Sequence, residues 1–117
     1  MDIQFILEHC LKKKGVTEEF PFGDETFVYK VMGKMFLLTD MNPPFSINIK
    51  CDPETAIELR ERYPAVTPGY HMNKKHWNTV EIDGSIPPKL LLSWINDSYI
   101  LAAKGLPASK RKMLGID

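Results

Sequence analysis

The chain has 117 residues, 44% hydrophobic and 26% charged, enough for one globular domain that buries roughly two-thirds of its unfolded surface without a covalent staple. Its 15 Lys/Arg balance 15 Asp/Glu, which argues against an indiscriminate nucleic-acid binder, although acids dominate before residue 70 and cations after it. Cys10 and Cys51 are too few and too far apart for a disulfide framework or a zinc knuckle, and no apolar run approaches the roughly 18 residues of a membrane span.

From Ile3 onward, Ile6, Leu7, Cys10 and Leu11 recur at the spacing of one helix face, with Asp2 placed to cap the first turn. Lys12, Lys13 and Lys14 fall in the last turn, where cations complement the helix dipole, and Gly15 ends it. That run reads as a helix terminus rather than a binding patch. The opening MDIQFILEHC lacks the basic start of a signal peptide, so a cytoplasmic protein is expected. EEFPFGDE reads as a loop. Two strands follow, 27–32 and 34–40, with Gly33 at the bend. Residues 35–38 are apolar on both parities, which predicts a central strand covered on both faces.

After the breaker Asn42-Pro43-Pro44, Phe45, Ile47, Ile49 and Cys51 alternate with Ser46, Asn48 and Lys50, so one face of the sheet is locally polar. Asp52-Pro53-Glu54 starts a helix that runs to about Tyr63. A strand is expected over 76–83, closed by Asp83-Gly84. Ser85 or Ile86 with Pro87-Pro88 opens a last helix, on which Leu91, Trp94, Ile95, Ser98, Tyr99 and Ala102 share a face until Gly105 and Pro107 stop it. Residues 106–117 read as a flexible basic tail carrying Lys110, Arg111 and Lys112. The order of helix, three strands, helix, strand and helix predicts a single α+β domain over 1–117, an antiparallel sheet with helices packed on one face.

The unusual stretch is PGYHMNKKHWNTVEIDG, which crowds His71, Asn73, Lys74, Lys75, His76, Trp77 and Asn78 together. A metal needs three or four preorganised ligands; His71 and His76 come with neither HExxH nor a cysteine pair, so no metal or other cofactor is expected. Neither histidine has a recognisable serine or cysteine nucleophile or acidic dyad beside it, so no catalytic residue is assigned and the chain is not expected to be an enzyme. Anion binding fits better. Lys74 and Lys75 bring point charges, Asn73 and Asn78 neutral donors, and the histidines join when protonated. Val80 and Ile82 set the core parity of the strand, which turns Trp77 to the opposite face beside Thr79 and Glu81 unless a bulge near Asn78 re-aims it. The ring is then either a partly exposed stacking surface or a side chain covered by the last helix or by the loop through Tyr70.

Two long stretches, FPFGDETFVYKVMGKMF and IKCDPETAIELRERYPAVTPGYHMNKKHWNTVEIDGSIP, resemble the MmcQ/YjbR family of small bacterial proteins, and the run PGYHMNKKHWNTV with CDPE before it is specific. The resemblance covers nearly the whole chain. It implies a compact α+β domain of frataxin-like (CyaY-like) layout, described as a double-wing DNA-binding module without catalytic residues. The expected function is therefore non-catalytic DNA binding by a monomer with no membrane association. Lys74 and Lys75 would meet phosphate; Asn73, His76 and Asn78 would bond phosphate or base edges; Tyr70 and Trp77 would stack or brace the wing. Lys34 and the Lys110–Lys112 segment would extend the footprint. The alternative is a protein-interaction scaffold that uses the same surface, since Trp, Tyr and Arg also favour protein hot spots. Iron handling would need a carboxylate-rich face that the first helix, with its lysine run, does not offer.

Overall fold

A computed structural model describes residues 2–70 and 72–116. Helix α1 (Ile3–Leu11) starts where Asp2 accepts a hydrogen bond from the Phe5 backbone N–H, and turns Ile3, Ile6, Leu7 and Cys10 inward. The chain then forms β1 (Val16–Glu19), β2 (Thr26–Val31), β3 (Lys34–Asp40), β4 (Ser46–Lys50), α2 (Pro53–Arg62), β5 (Val66–Pro68), β6 (Trp77–Glu81), α3 (Pro88–Lys104) and α4 (Ala108–Leu114). The six strands make one sheet in the order β1-β2-β3-β4-β6-β5, and every neighbouring pair is antiparallel. The α+β class is as the sequence predicts.

Paired residues in an antiparallel ladder share a face, so the register assigns the layers. Ile49 opposite Leu37, and Val80 opposite Ile47, look toward the helices and join the main core with α1 and α3. Asn48 opposite Thr79, and Ser46 opposite Glu81, look the other way. Ser46, Asn48 and Lys50 are half-buried, while Ile47 and Ile49 are fully enclosed. The alternation therefore fixes the register as expected.

β3 lies inside the sheet, and the reason for its double apolar parity is a bulge. Tyr29 pairs with Leu37 but Lys30 with Met35, so Phe36 is the extra residue and joins Leu37 on the helix side. Leu38 points to the other face, where it meets Val28 and Trp77. The β2–β3 turn has positive φ at both Met32 (46°) and Gly33 (93°), the primed geometry that matches strand twist.

Three segments differ from the sequence reading. Residues 16–19 form an edge strand that takes in the first two residues of the expected loop, with Val16 opposite Val31 and Glu19 bridged to Lys30 at 3.0 Å. β5 pairs with β6 to make a further hairpin. The segment expected as a loose tail is helical: Leu114 of α4 packs against the main core, lying 2.9 Å from where a side chain on Gly15 would begin. Gly15, at φ +76°, thus leaves room for the last helix. Among the described residues no helix is long and apolar enough to cross a membrane.

Candidate nucleic-acid interface

The stretch singled out from sequence is the tip of the β5–β6 hairpin. Gly69 donates its N–H to the Trp77 carbonyl at 2.8 Å and the Tyr70 N–H bonds the Thr79 hydroxyl at 3.0 Å, so the chain leaves β5 still paired. The tip folds around Asn73. Its side-chain oxygen accepts from the Lys75 N–H at 2.8 Å, and its carbonyl accepts from His76 at 3.3 Å and Trp77 at 2.9 Å. This is the local turn chemistry asparagine favours. Asn73, Lys74, Lys75 and Tyr70 are exposed, Tyr70 at 71%, and His76 is half-buried. His71 lies outside the described residues.

Two of the expected contact residues are interior instead. β6 runs in unbroken register with β4, with no bulge at Asn78, so Trp77 does lie on the face opposite the helices. There it is only 7% exposed, packed on Val28 and Leu38 with Met35 and Met72 beside it. The covering comes from the loop through Met72, not from the last helix. Trp77 is thus a brace for the β5–β6 hairpin and not an exposed stacking platform. Asn78 is 0% exposed on the helix side. Its amide donates to the Ala56 carbonyl at 3.2 Å and reaches the Cys51 sulfur at 3.9 Å, while its oxygen accepts from Arg60 Nε at 2.6 Å. Its hydrogen-bonding capacity is spent inside the fold, which removes it from any contact with a nucleic acid.

Arg60, to which the sequence gives no role, is what anchors the hairpin tip. From α2 it also donates through Nη2 to the carbonyls of Lys74 and of Trp77, the latter at 3.3 Å. A planar guanidinium with several donors is suited to gathering acceptors from different segments. No local pattern around ELRER marks this role, because all of Arg60's partners lie 14 or more residues away in sequence. Lys74 is likewise tied down, with Nζ donating to the Gly69 carbonyl at 3.0 Å. The ammonium of Lys75 has no partner among the described residues.

The fold gathers cations that the sequence scatters. The ends of β2 and β4 and the starts of β1, β3 and β6 fall at one edge of the molecule, as their pairing requires. α3 ends there too, since Ser98 bonds the Lys50 N–H and the Phe36 carbonyl and the Tyr99 hydroxyl bonds the Lys14 carbonyl at 2.5 Å. Lys12–Lys14, Lys34, Lys50, Lys74, Lys75, Lys104 and the cations of α4 therefore share one pole, where Asp52, Glu54 and Asp97 also lie. Asp2, Asp24, Glu25, Asp40, Glu81 and Asp83 lie toward the opposite pole, where β2 begins beside the end of β3 and α1 and α3 begin. Several cations of the basic pole already have local work: Lys13 sits 5.2 Å from the centroid of the Tyr99 ring, Lys34 lies against the end of α3 near Gly105, and Arg111 bonds the Leu106 carbonyl. Among the described residues no three His, Cys, Asp or Glu side chains gather as a metal site would need.

Known proteins are similar along most of this chain. The Escherichia coli O157:H7 protein YbdF is 43% identical over 95 residues, covering 80% of this chain and 77% of its own. The YjbR protein of Escherichia coli K12 is 32% identical over 115 residues, 97% of this chain and 98% of its own. The crystal structure of Deinococcus radiodurans protein DR2400 superposes with a TM-score of 0.90 at 41% identity, over 98% of this chain and 88% of that one. A family model described as YjbR matches residues 11–101, a span that takes in the sheet, the Arg60 anchor and the whole wing. The chain belongs to the YjbR family.

Proposed function

We propose that the protein is a non-catalytic DNA-binding module, a cytoplasmic monomer that meets backbone phosphates with its basic pole and leads with the tip at residues 69–76. The observation that carries this reading is the gathering of lysines at one pole of a molecule whose net charge is zero. Backbone phosphates are met by local positive potential, and net charge does not set that potential at a pole. Lys75 is the principal phosphate contact, and Lys74 adds charge from a fixed position. The exposed ring of Tyr70 offers a face for a sugar or an unpaired base, with Asn73 and His76 as flanking donors. Lys34, Lys110 and Lys112 widen the footprint on the same pole.

Anisotropy titration of a labelled duplex over a salt series tests this. The wild type gives a linear fall of log K with log salt. Lys75→Ala makes the slope shallower by about 0.9, and Lys74→Ala with Lys75→Ala by roughly 2, because every phosphate left unneutralised keeps its condensed counterion. Absence of salt-dependent binding by the wild type, or an unchanged slope in the double variant, overturns the reading. A binding partner of the same surface whose affinity ignores salt would favour the protein-scaffold alternative.

A further inference from the structure

The two edges of the sheet are finished differently. In β5, Ala65 and Gly69 bond β6, which leaves Val66 and Pro68 facing outward. The Val66 N–H is bonded to the Tyr63 carbonyl at 3.0 Å, and proline has no N–H to offer. β1 has no such protection. Met32 donates to the Gly15 carbonyl at 2.9 Å and the register then alternates, so Thr17 and Glu19 turn their backbone groups to β2 while Val16 and Glu18 turn theirs away. Those outward N–H and C=O groups have no partner among the described residues. Main-chain groups left unpaired stand in solvent, and in a row they form a template for another strand.

The side chains along this row make it selective. Val16 and Glu18 lie on the helix side, opposite Val31 and Tyr29 of the main core, and Phe20 follows at the same parity. Val16 is half-buried against the core. Glu18 is exposed, its carboxylate held by the Tyr29 hydroxyl at 2.5 Å and joined to no cation among the described residues. Lys30 of β2 is bridged to Glu19 instead, and Lys12–Lys14 precede Gly15 at the Val16 end. Phe20 is 45% exposed and set edge-to-face on Phe27, 4.8 Å between ring centroids. At alternate positions the edge therefore presents an apolar, an acidic and an aromatic side chain.

We propose that β1 takes an extended segment of a protein partner as a seventh strand, antiparallel like every other pair in the sheet. The segment carries a lysine or arginine opposite Glu18 and, two residues to either side, an apolar residue against Val16 and against Phe20. The backbone of Val16 and Glu18 supplies the main-chain bonds, and the alternate side chains supply the selection. A second copy of this chain is a poor occupant, because its own β1 would bring further glutamates to an acidic edge.

The test follows the amide resonances of the whole protein during titration with the peptide acetyl-Leu-Thr-Lys-Thr-Leu-amide. Saturable shifts centred on residues 16–20 are expected, with slower amide exchange at Val16 and Glu18. Methylating the lysine backbone nitrogen, which would donate to the Glu18 carbonyl, should weaken binding by about tenfold. Methylating the nitrogen of the second threonine, which points away from β1, should leave binding intact. Glu18→Gln keeps an acceptor for Tyr29 and should weaken the lysine peptide by about threefold, while a glutamine version of the peptide binds both proteins alike. No saturable shift at millimolar peptide overturns the proposal, and so do equal effects of the two methylations or an equal loss for the lysine and glutamine peptides. Protection of the Val16 and Glu18 amides without peptide at high protein concentration would assign the edge to a second copy and overturn it as well.

Discussion

Trp77 and Asn78 sit next to each other and face opposite ways, which is why the sequence alone leaves their roles open. Alternation turns Trp77 to the open face, but whether a ring there is bare or covered depends on Met72 folding over it, a contact no local pattern encodes. Trp77→Ala should therefore cost about 3–5 kcal/mol of stability in a denaturant titration, as for a core aromatic. A loss well under that range would mean that the loop does not cover the ring. Asn78 reads as a surface donor because asparagine is mostly exposed. Its burial makes Asn78→Ala cost about 1–3 kcal/mol, since the Arg60 Nε–H and the Ala56 carbonyl would lose their partner. Arg60→Ala should have a different signature, with modest loss of stability but faster amide exchange through residues 72–77 as the tip is released. The cysteines are simpler: both thiols are free and buried, and burial pushes Cys10 up to about 12 from 9.0 and Cys51 to about 11. Because the folded values are raised, their contribution is whole below pH 9.0 and is lost as pH rises toward 12 through ionisation of the unfolded thiols. Cys10→Ala should flatten the alkaline fall in stability, which melting curves at about pH 8 and about pH 10 would check.

Elements with a strong period are legible in the sequence, and those whose reason lies across the sheet are not. α1, β3, β4, α2 and α3 come close to their sequence-based bounds because each buries a face that repeats at its own spacing. β1 offers only Val16 to the core, and its two glutamates are held by neighbours on β2, so its pattern reads as polar. β5 is three residues long and ends in Pro68, which suits an edge strand but carries little signal. In α4 the KRK run masks Leu114, whose partners Gly15 and Met32 are far away in sequence. The α+β order survives these omissions because both missed strands lie at the edges. The closest approach within the β5–β6 hairpin is at Gly69. A side chain there would begin 2.8 Å from Trp77 Cβ and 2.9 Å from the Trp77 carbonyl oxygen, and backbone cannot step aside as a flexible side chain could. Gly69→Ala should therefore lower both the melting temperature and DNA affinity, whereas Lys75→Ala should lower affinity alone. An alanine variant as stable as the wild type would show that the tip can part from β6 at no cost.

For the whole molecule, total charge and the placement of charge are separate properties. A neutral total suggests indifference to polyanions, yet the cations are spread along the chain at strand and helix ends, and antiparallel pairing collects them at one edge. Their meeting at one edge comes from the topology. As the DNA-binding module we propose, such a molecule would feel a torque in the field of a nucleic acid before a net pull, and would turn this edge inward within about one Debye length, roughly 8 Å at physiological salt. Orientation would then precede capture. The same separation has a plain chromatographic consequence: close to its sequence isoelectric point of 6.8, the protein should be retarded at low ionic strength on both a cation exchanger and an anion exchanger, each resin gripping a different end.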